Sequence, residues 1–189
     1  MNKKALRIHY LEKRKEISLS EKLVLEENVK KILFENFDFS NKMTSCFLPI
    51  ISKNEIDTYK IISGINKNCG NIALTVWEKE TNVLNHRLFT DETRIENNAL
   101  GIPEPQNGEF IPYEELDIVL VPLLVLDSFG NRVGYGKGVY DRFLANCSPR
   151  TIFIGLSFFE LVDRIEDTDV YDIPLHYCIT PTKCYAFEK

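Results

Sequence analysis

Nine consecutive residues of the 189-residue chain, Ile118 to Leu126 (IVLVPLLVL), carry no polar or charged side chain. The run is far short of the ~20 residues a membrane helix needs. Unbroken apolarity over this length is what a strand buried on both faces requires, so the run is expected to be the central strand of a sheet covered by helices. The next twelve residues, Asp127 to Gly138 (DSFGNRVGYGKG), hold Gly130, Gly134, Gly136 and Gly138, four of only nine glycines in the chain. A buried strand that ends in a glycine-rich turn and opens a helix is where an α/β sheet binds phosphate. Glycine lets backbone N–H groups approach the anion, and the helix N-terminus adds partial positive charge.

The rest of the chain fits such a sheet. Lys3, Arg7, Tyr10 and Arg14 share one face of an opening helix, and Ser18-Leu19-Ser20-Glu21 has the capping-box spacing that starts a second, running to about Asn36. A strand is expected over 43–51, a helix over 54–65 and a strand over 71–77. Residues 90–115, with Pro103 and Pro105, read as a long ordered loop. After the glycine turn come a helix over 139–146, a strand over 151–156, a short helix over 158–163 and a last strand over 177–180. Alternating strands and helices predict a single domain, residues 1–189, with a mainly parallel central sheet. The length suits that reading, at roughly 100–200 residues per domain.

Charge narrows the function. Twenty-three Lys and Arg against 28 Asp and Glu give a net charge of −5, which excludes a simple basic nucleic-acid binder. The distribution is uneven. Residues 1–15 carry six cations against Glu12 alone, a local +5 on a background of −10. Cations are interleaved with apolar residues there, so the segment does not read as an export signal. The five cysteines form no C-x-x-C pair, which argues against a disulfide framework or zinc site and for reduced thiols in a cytoplasmic protein.

Arg132 and Lys137 stand in the glycine-rich turn, two cations able to meet a polyphosphate. The named nucleotide motifs nonetheless fail. A P-loop would need glycine at Asn131 and Ser or Thr at Gly138, and a dinucleotide fingerprint would need glycine at Val139. Asp141, on the first turn of the following helix, suits either the helix dipole or a Mg2+ ion beside substrate phosphates.

Taken together, these residues resemble a known family. Pro122 to Leu144, PLLVLDSFGNRVGYGKGVYDRFL, is similar to the signature of 5-formyltetrahydrofolate cyclo-ligases, also called 5,10-methenyltetrahydrofolate synthetases. Lys3-Lys4-Ala5-Leu6-Arg7 with Arg14 resembles the family's opening helix, and Glu55-Ile56-Asp57-Thr58 its E-x-x-T segment. Ile102-Pro103-Glu104-Pro105 resembles its I-x-E-P loop, and Asp172-Ile173-Pro174-Leu175 with Ile179-Thr180 its C-terminal block.

The resemblance implies a three-layer α/β/α sandwich of the NagB/RpiA/CoA-transferase-like kind. It further implies ATP- and Mg2+-dependent cyclisation of 5-formyltetrahydrofolate, with or without a polyglutamate tail, to 5,10-methenyltetrahydrofolate, by a cytoplasmic monomer. It assigns Lys3, Lys4, Arg7, Arg132, Gly134, Gly136, Lys137, Gly138 and Tyr140 to ATP, with Lys137 and Arg132 acting in catalysis. Ile50, Glu55, Tyr135, Val139 and Trp77 fall to the folate, and Asp141, Asp172 and His176 to the metal. Three positions depart from the family pattern: Val139 replaces an aromatic residue, Tyr135 an Arg or small residue, and His176 an aspartate. Two other readings are a folate- or nucleotide-binding module without turnover and a sugar-phosphate isomerase, although the cationic first helix exceeds what a single phosphate needs. His9 and His86 read as surface or packing residues.

Overall fold

A computed structural model describes residues 1–187. Helix α1 spans Lys3–Glu16 and is capped by Asn2, whose side chain accepts from the Ala5 N–H at 2.9 Å. Ser18 caps α2, Leu19–Asn36, by accepting from the Glu21 N–H at 3.2 Å, as the capping-box spacing predicts. Strands β1 (Met43–Cys46) and β2 (Asn71–Glu78) flank α3 (Tyr59–Lys67) in sequence, and β3 is Val83–Leu88. The short strands β4 (Ile95–Asn97) and β5 (Pro103–Pro105) pair with each other, and β6 is Ile118–Pro122. Strands β7 (Val125–Leu126) and β8 (Arg132–Val133) form a hairpin that leads into α4 (Val139–Leu144). Strands β9 (Ile152–Leu156), β10 (Tyr177–Ile179) and β11 (Cys184–Ala186) complete the chain.

The sheet has the order β11-β10-β9-β6-β1-β2-β3. Its five inner strands are parallel, and β3 and β11 close the two edges antiparallel. Alternation along the strands feeds two cores. Ile118 and Leu120 of β6, with Ile72, Leu74, Ile154 and Ile179, pack on Val29 and Leu33 of α2 and on Ile61 and Ile65 of α3. Val119 and Val121 face the other way, onto Phe143 and Leu144 of α4. This is the expected three-layer α/β/α arrangement. Gly155 lies mid-strand because a Cβ there would come within 2.6 Å of Leu123 and 2.7 Å of Leu175.

Several local expectations need correction. The apolar run is not one strand: β6 ends at Pro122, which cannot extend the ladder, and the chain leaves the sheet to form β7. Leu126 remains buried on the second core, while Val125 packs with Leu6 of α1, Val133 and Ile165 in a third cluster. Continuous burial therefore mimicked a continuous strand. The expected strand 43–51 stops at Cys46, and the expected helix 54–65 begins only at Tyr59, because Glu55 and Thr58 turn inward as buried polar anchors. Residues 158–163 form no helix, and the 90–115 loop contains the β4–β5 hairpin.

Among the inner strands the order of connection reverses between β1 and β6. Chain segments leaving these two strands diverge and open a crevice at their carboxyl ends, the usual ligand position in such sheets. Helix α1 lies over that end through Leu6 and the third cluster.

Candidate active site

The β7–β8 turn that presents the glycines is built on Asp127. Its fully buried carboxylate accepts from the N–H groups of Phe129 and Asn131, both at 3.0 Å, and of Ile165 at 3.1 Å. From this base the chain runs through Gly134, Gly136 (φ +85°) and Gly138 (φ +62°) into α4. Helix α1 meets the turn directly. Arg7 donates through Nε to the Gly134 carbonyl at 2.8 Å, and its guanidinium lies where a Gly136 Cβ would sit, 2.9 Å away. Any side chain at Gly136 would therefore displace Arg7 as well as strain the backbone.

On one side of the turn is a buried polar cluster. Tyr135 donates its hydroxyl to Glu55 Oε1 and accepts from Arg14 Nη2, and Arg14 lies 4.0 Å from Glu55. The other Glu55 oxygen accepts from the Ile50 N–H at 2.7 Å. Burial, and then the Glu55 charge, push the Tyr135 phenol well above its ordinary value, so it stays protonated. A small cavity of about 10 Å³ lies beside the cluster, lined by Arg14, Glu55, Phe47, Leu123, Phe158 and Phe159 among others. Arg14 Nε, buried there, has no hydrogen-bond partner among the described residues.

On the other side the cations are engaged internally. Lys137 Nζ stands 3.9 Å over the Trp77 ring. Trp77, half-buried at the rim of the second core, donates through Nε1 to Asn82 at 3.0 Å, and its backbone N–H donates to Glu104 of the I-P-E-P segment at 2.9 Å. Tyr140 and Val139 pack on the same core, and burial raises the Tyr140 phenol far above its ordinary value.

Two groups expected to meet phosphate or metal are bonded within the protein. Arg132 does not project into the turn: it pairs with Asp141 Oδ1 at 2.6 Å and donates to the Ile173 carbonyl at 2.6 Å, tying α4 to the C-terminal segment. Burial pulls its guanidinium below the ordinary arginine value, with Asp141 and Asp172 opposing. Nor do Asp141, Asp172 and His176 form a joint metal cage. Asp172 pairs with Lys3 Nζ, and His176 Nδ1 accepts from the Phe153 N–H at 2.9 Å beside the Phe153 ring. Among the described residues no group of three His, Cys, Asp or Glu is placed to hold a metal.

The structure thus brings Arg7, Gly134, Gly136, Gly138 and Lys137 around one turn, with Tyr135, Glu55 and Ile50 beside it. Lys4 is exposed near the start of the same helix. Arg14 was missed as a site residue, although its place on the Lys3/Arg7/Tyr10 face of α1 was the signal that could have found it. His86 is a packing residue, fully buried and bonded through Nε2 to Ser45 Oγ at 2.8 Å, and His9 is exposed against Tyr10.

The sequence model of the 5-formyltetrahydrofolate cyclo-ligase family matches residues 1–181. The chain belongs to this family. Among its relatives are the 5-formyltetrahydrofolate cyclo-ligases of Haemophilus influenzae, 32% identical over 127 residues, and of Escherichia coli K12, 33% identical over 103 residues. These alignments cover 64% and 52% of this chain, and the chain spans 67% and 56% of the length of those relatives. Over the whole chain the fold is similar to the NMR structure of Aquifex aeolicus 5,10-methenyltetrahydrofolate synthetase, with a TM-score of 0.81, 28% identity and 94% of that chain covered. A synthetase from Mycoplasma pneumoniae shares the fold at a TM-score of 0.73 and 22% identity, over 96% of this chain and 99% of its own. As a cyclo-ligase family member, the chain places its glycine turn and its α1 cations on one side of the sheet's carboxyl end.

Proposed function

We propose that the chain converts 5-formyltetrahydrofolate and ATP to 5,10-methenyltetrahydrofolate, ADP and phosphate. The observation that carries this reading is the seating of Arg7 on Gly134 and Gly136, directly beside the Glu55 cluster. A turn suited to polyphosphate and the Glu55 polar cluster then adjoin through Tyr135, which suits a reaction that moves a phosphoryl group onto a second substrate.

A formamide oxygen is a poor leaving group. Transfer of the γ-phosphoryl to it breaks the bond to ADP, N10 then attacks the formyl carbon, and loss of phosphate with the N10 proton leaves the methenyl bridge. Such transfers need positioning and charge neutralisation more than a protein nucleophile. Arg7, Lys4 and Lys137 supply cations at the turn, and the backbone N–H groups of Gly134 to Gly138 supply donors. Glu55 accepts from folate N–H groups, with Ile50 and Trp77 as apolar walls.

Mg2+ is usually held by one or two carboxylates, with waters and substrate phosphates completing its octahedron. Asp141 fits such a role, since its contacts to Arg132 and the Ile173 N–H both fall on Oδ1. When bound, the ion would neutralise phosphate charge. Asp172 is a candidate only if Lys3 releases it. The same reading makes the chain a cytoplasmic monomer that accepts polyglutamylated substrate.

The test is to mix purified chain with 5-formyltetrahydrofolate and Mg-ATP and follow methenyltetrahydrofolate by absorbance and ADP by a coupled assay. Equal amounts of both products are expected. Tight ligand binding without product would leave a binding module.

A further inference from the structure

We propose that Tyr135 seals the folate seat in the free protein: its hydroxyl stands on Glu55 and Arg14 in place of the substrate's polar edge, and nucleotide binding at Arg7 releases it. This rests on the reading of Glu55 as the folate acceptor. The cluster is over-supplied with charge and under-supplied with partners. Arg14 and Glu55 are 5% and 4% exposed, yet they lie 4.0 Å apart, and the group between them is a neutral phenol. Arg14 Nε, also buried, has no hydrogen-bond partner among the described residues. An unmet buried donor is costly, and a ligand bringing N–H donors for Glu55 and a carbonyl acceptor that reaches both Arg14 Nη2 and Nε would meet the one donor that the Tyr135 hydroxyl leaves unmet.

Tyr135 is placed to leave. Its residue is 38% exposed although its hydroxyl is turned inward, and it stands between two glycines. A Cβ at Gly134 would meet nothing within 4 Å, and Gly136 occupies the left-handed region at φ +85°. Helix α1 holds this turn at two points, Arg7 through the Gly134 carbonyl and the face of Gly136, and Arg14 through the Tyr135 hydroxyl and ring, so only the Arg14 contact remains once Arg7 is drawn away. A polyphosphate drawing the Arg7 guanidinium off that carbonyl would free the segment that carries Tyr135. Nucleotide would then bind first and folate second, and Tyr135 would raise the folate dissociation constant only while nucleotide is absent.

The test measures the dissociation constant of 5-formyltetrahydrofolate by calorimetry, with and without a non-hydrolysable ATP analogue, for wild type, Tyr135→Phe and Tyr135→Ala. Phenylalanine keeps the ring and removes the hydroxyl, while alanine removes both, so the proposal does not hang on one variant's folding. Without nucleotide, both variants should bind folate at least threefold tighter than wild type. The analogue should tighten wild type by a similar factor and Tyr135→Phe hardly at all. Weaker or unchanged folate binding in both variants would mean that Tyr135 holds Glu55 in place instead, and would overturn the proposal. An analogue with no effect on wild type would overturn the coupling. The functional reading fails by a different result, namely no methenyltetrahydrofolate from wild type with Mg-ATP, since the binding measurements involve no turnover.

Discussion

Two buried polar nodes on this sheet each leave one nitrogen without a hydrogen-bond partner among the described residues. In the first, Arg14, Tyr135 and Glu55 meet at the carboxyl end of the strands, and Arg14 Nε is unmet. In the second, His86 bonds to Ser45 beneath α4, and His86 Nδ1 is unmet. The second node is walled by Phe143, its ring centroid 4.6 Å from that of His86, and by Tyr113 at 5.8 Å. The first is capped through Tyr135 by the glycine-flanked turn and borders a small cavity. On the proposed reading, the same local deficit is a fixed cost in one place and a ligand seat in the other. Access, not polarity, separates them.

The comparison predicts that perturbing His86 changes stability and perturbing the first node changes binding and rate. Burial lowers the His86 pKa to about 3 from its ordinary 6.5. The unfolded chain takes up this proton below pH 6.5 while the folded chain refuses it until about pH 3. Neutral His86 therefore carries no ionisation cost above pH 6.5, and as pH falls toward 3 the folded state loses stability relative to the unfolded chain, by on the order of 4–5 kcal/mol over the whole window. Urea unfolding at a series of pH values should show this slope in wild type and lose most of it in His86→Gln. A variant that kept the slope, or that lost turnover without losing stability, would erase the distinction between the nodes.

Arg7→Ala should lower kcat/KM by about 10²–10³-fold, the usual cost of removing one pre-positioned charge from a developing anion. Urea midpoints should move little, because Arg7 is half-buried and its one described hydrogen bond goes to the Gly134 carbonyl. Glu55→Gln comes next, with folate binding weakened by about tenfold as a charged acceptor becomes neutral. Equal losses of stability in Arg7→Ala and His86→Gln would show that α1 serves as a structural strap.

Much of this was legible in the sequence because burial and phosphate binding leave periodic or clustered marks. The parallel inner sheet follows from apolar runs such as Ile118–Leu126, and the cation face of α1 from the spacing of Lys3, Arg7 and Arg14. What escaped has physical reasons. Pro122 splits the apolar run, yet Val125 and Leu126 stay buried against α1 and α4, so hydrophobicity alone did not mark the break. Glu55 and Thr58 delayed α3 by turning inward, Thr58 to the Phe47 carbonyl at 2.6 Å, a tertiary contact that no local pattern encodes. Arg132 looked like a phosphate ligand because it stands in the glycine turn. Its true partners, Asp141 and the Ile173 carbonyl, are nine and forty-one residues away. His176 was placed among metal ligands by position, while its imidazole accepts from the backbone of β9.

The smallest effect expected reads the open side of the comparison without altering it. Lys137 rests on Trp77, the single tryptophan of the chain, at 3.9 Å from the ring centroid. A cation over a partly exposed ring contributes roughly 0.5–1 kcal/mol, which a multiply charged phosphate would outcompete. Lys137 should therefore leave the ring when ATP binds, and the emission of Trp77 should change by tens of per cent with a midpoint at the nucleotide dissociation constant. Lys137→Met removes the cation while keeping an apolar side chain over the indole. Its emission should start near the nucleotide-bound level and respond little to added ATP, even where calorimetry still detects binding. A full wild-type response in Lys137→Met would locate the signal elsewhere in the turn and leave Lys137 as a solvated side chain that merely lies against an aromatic wall.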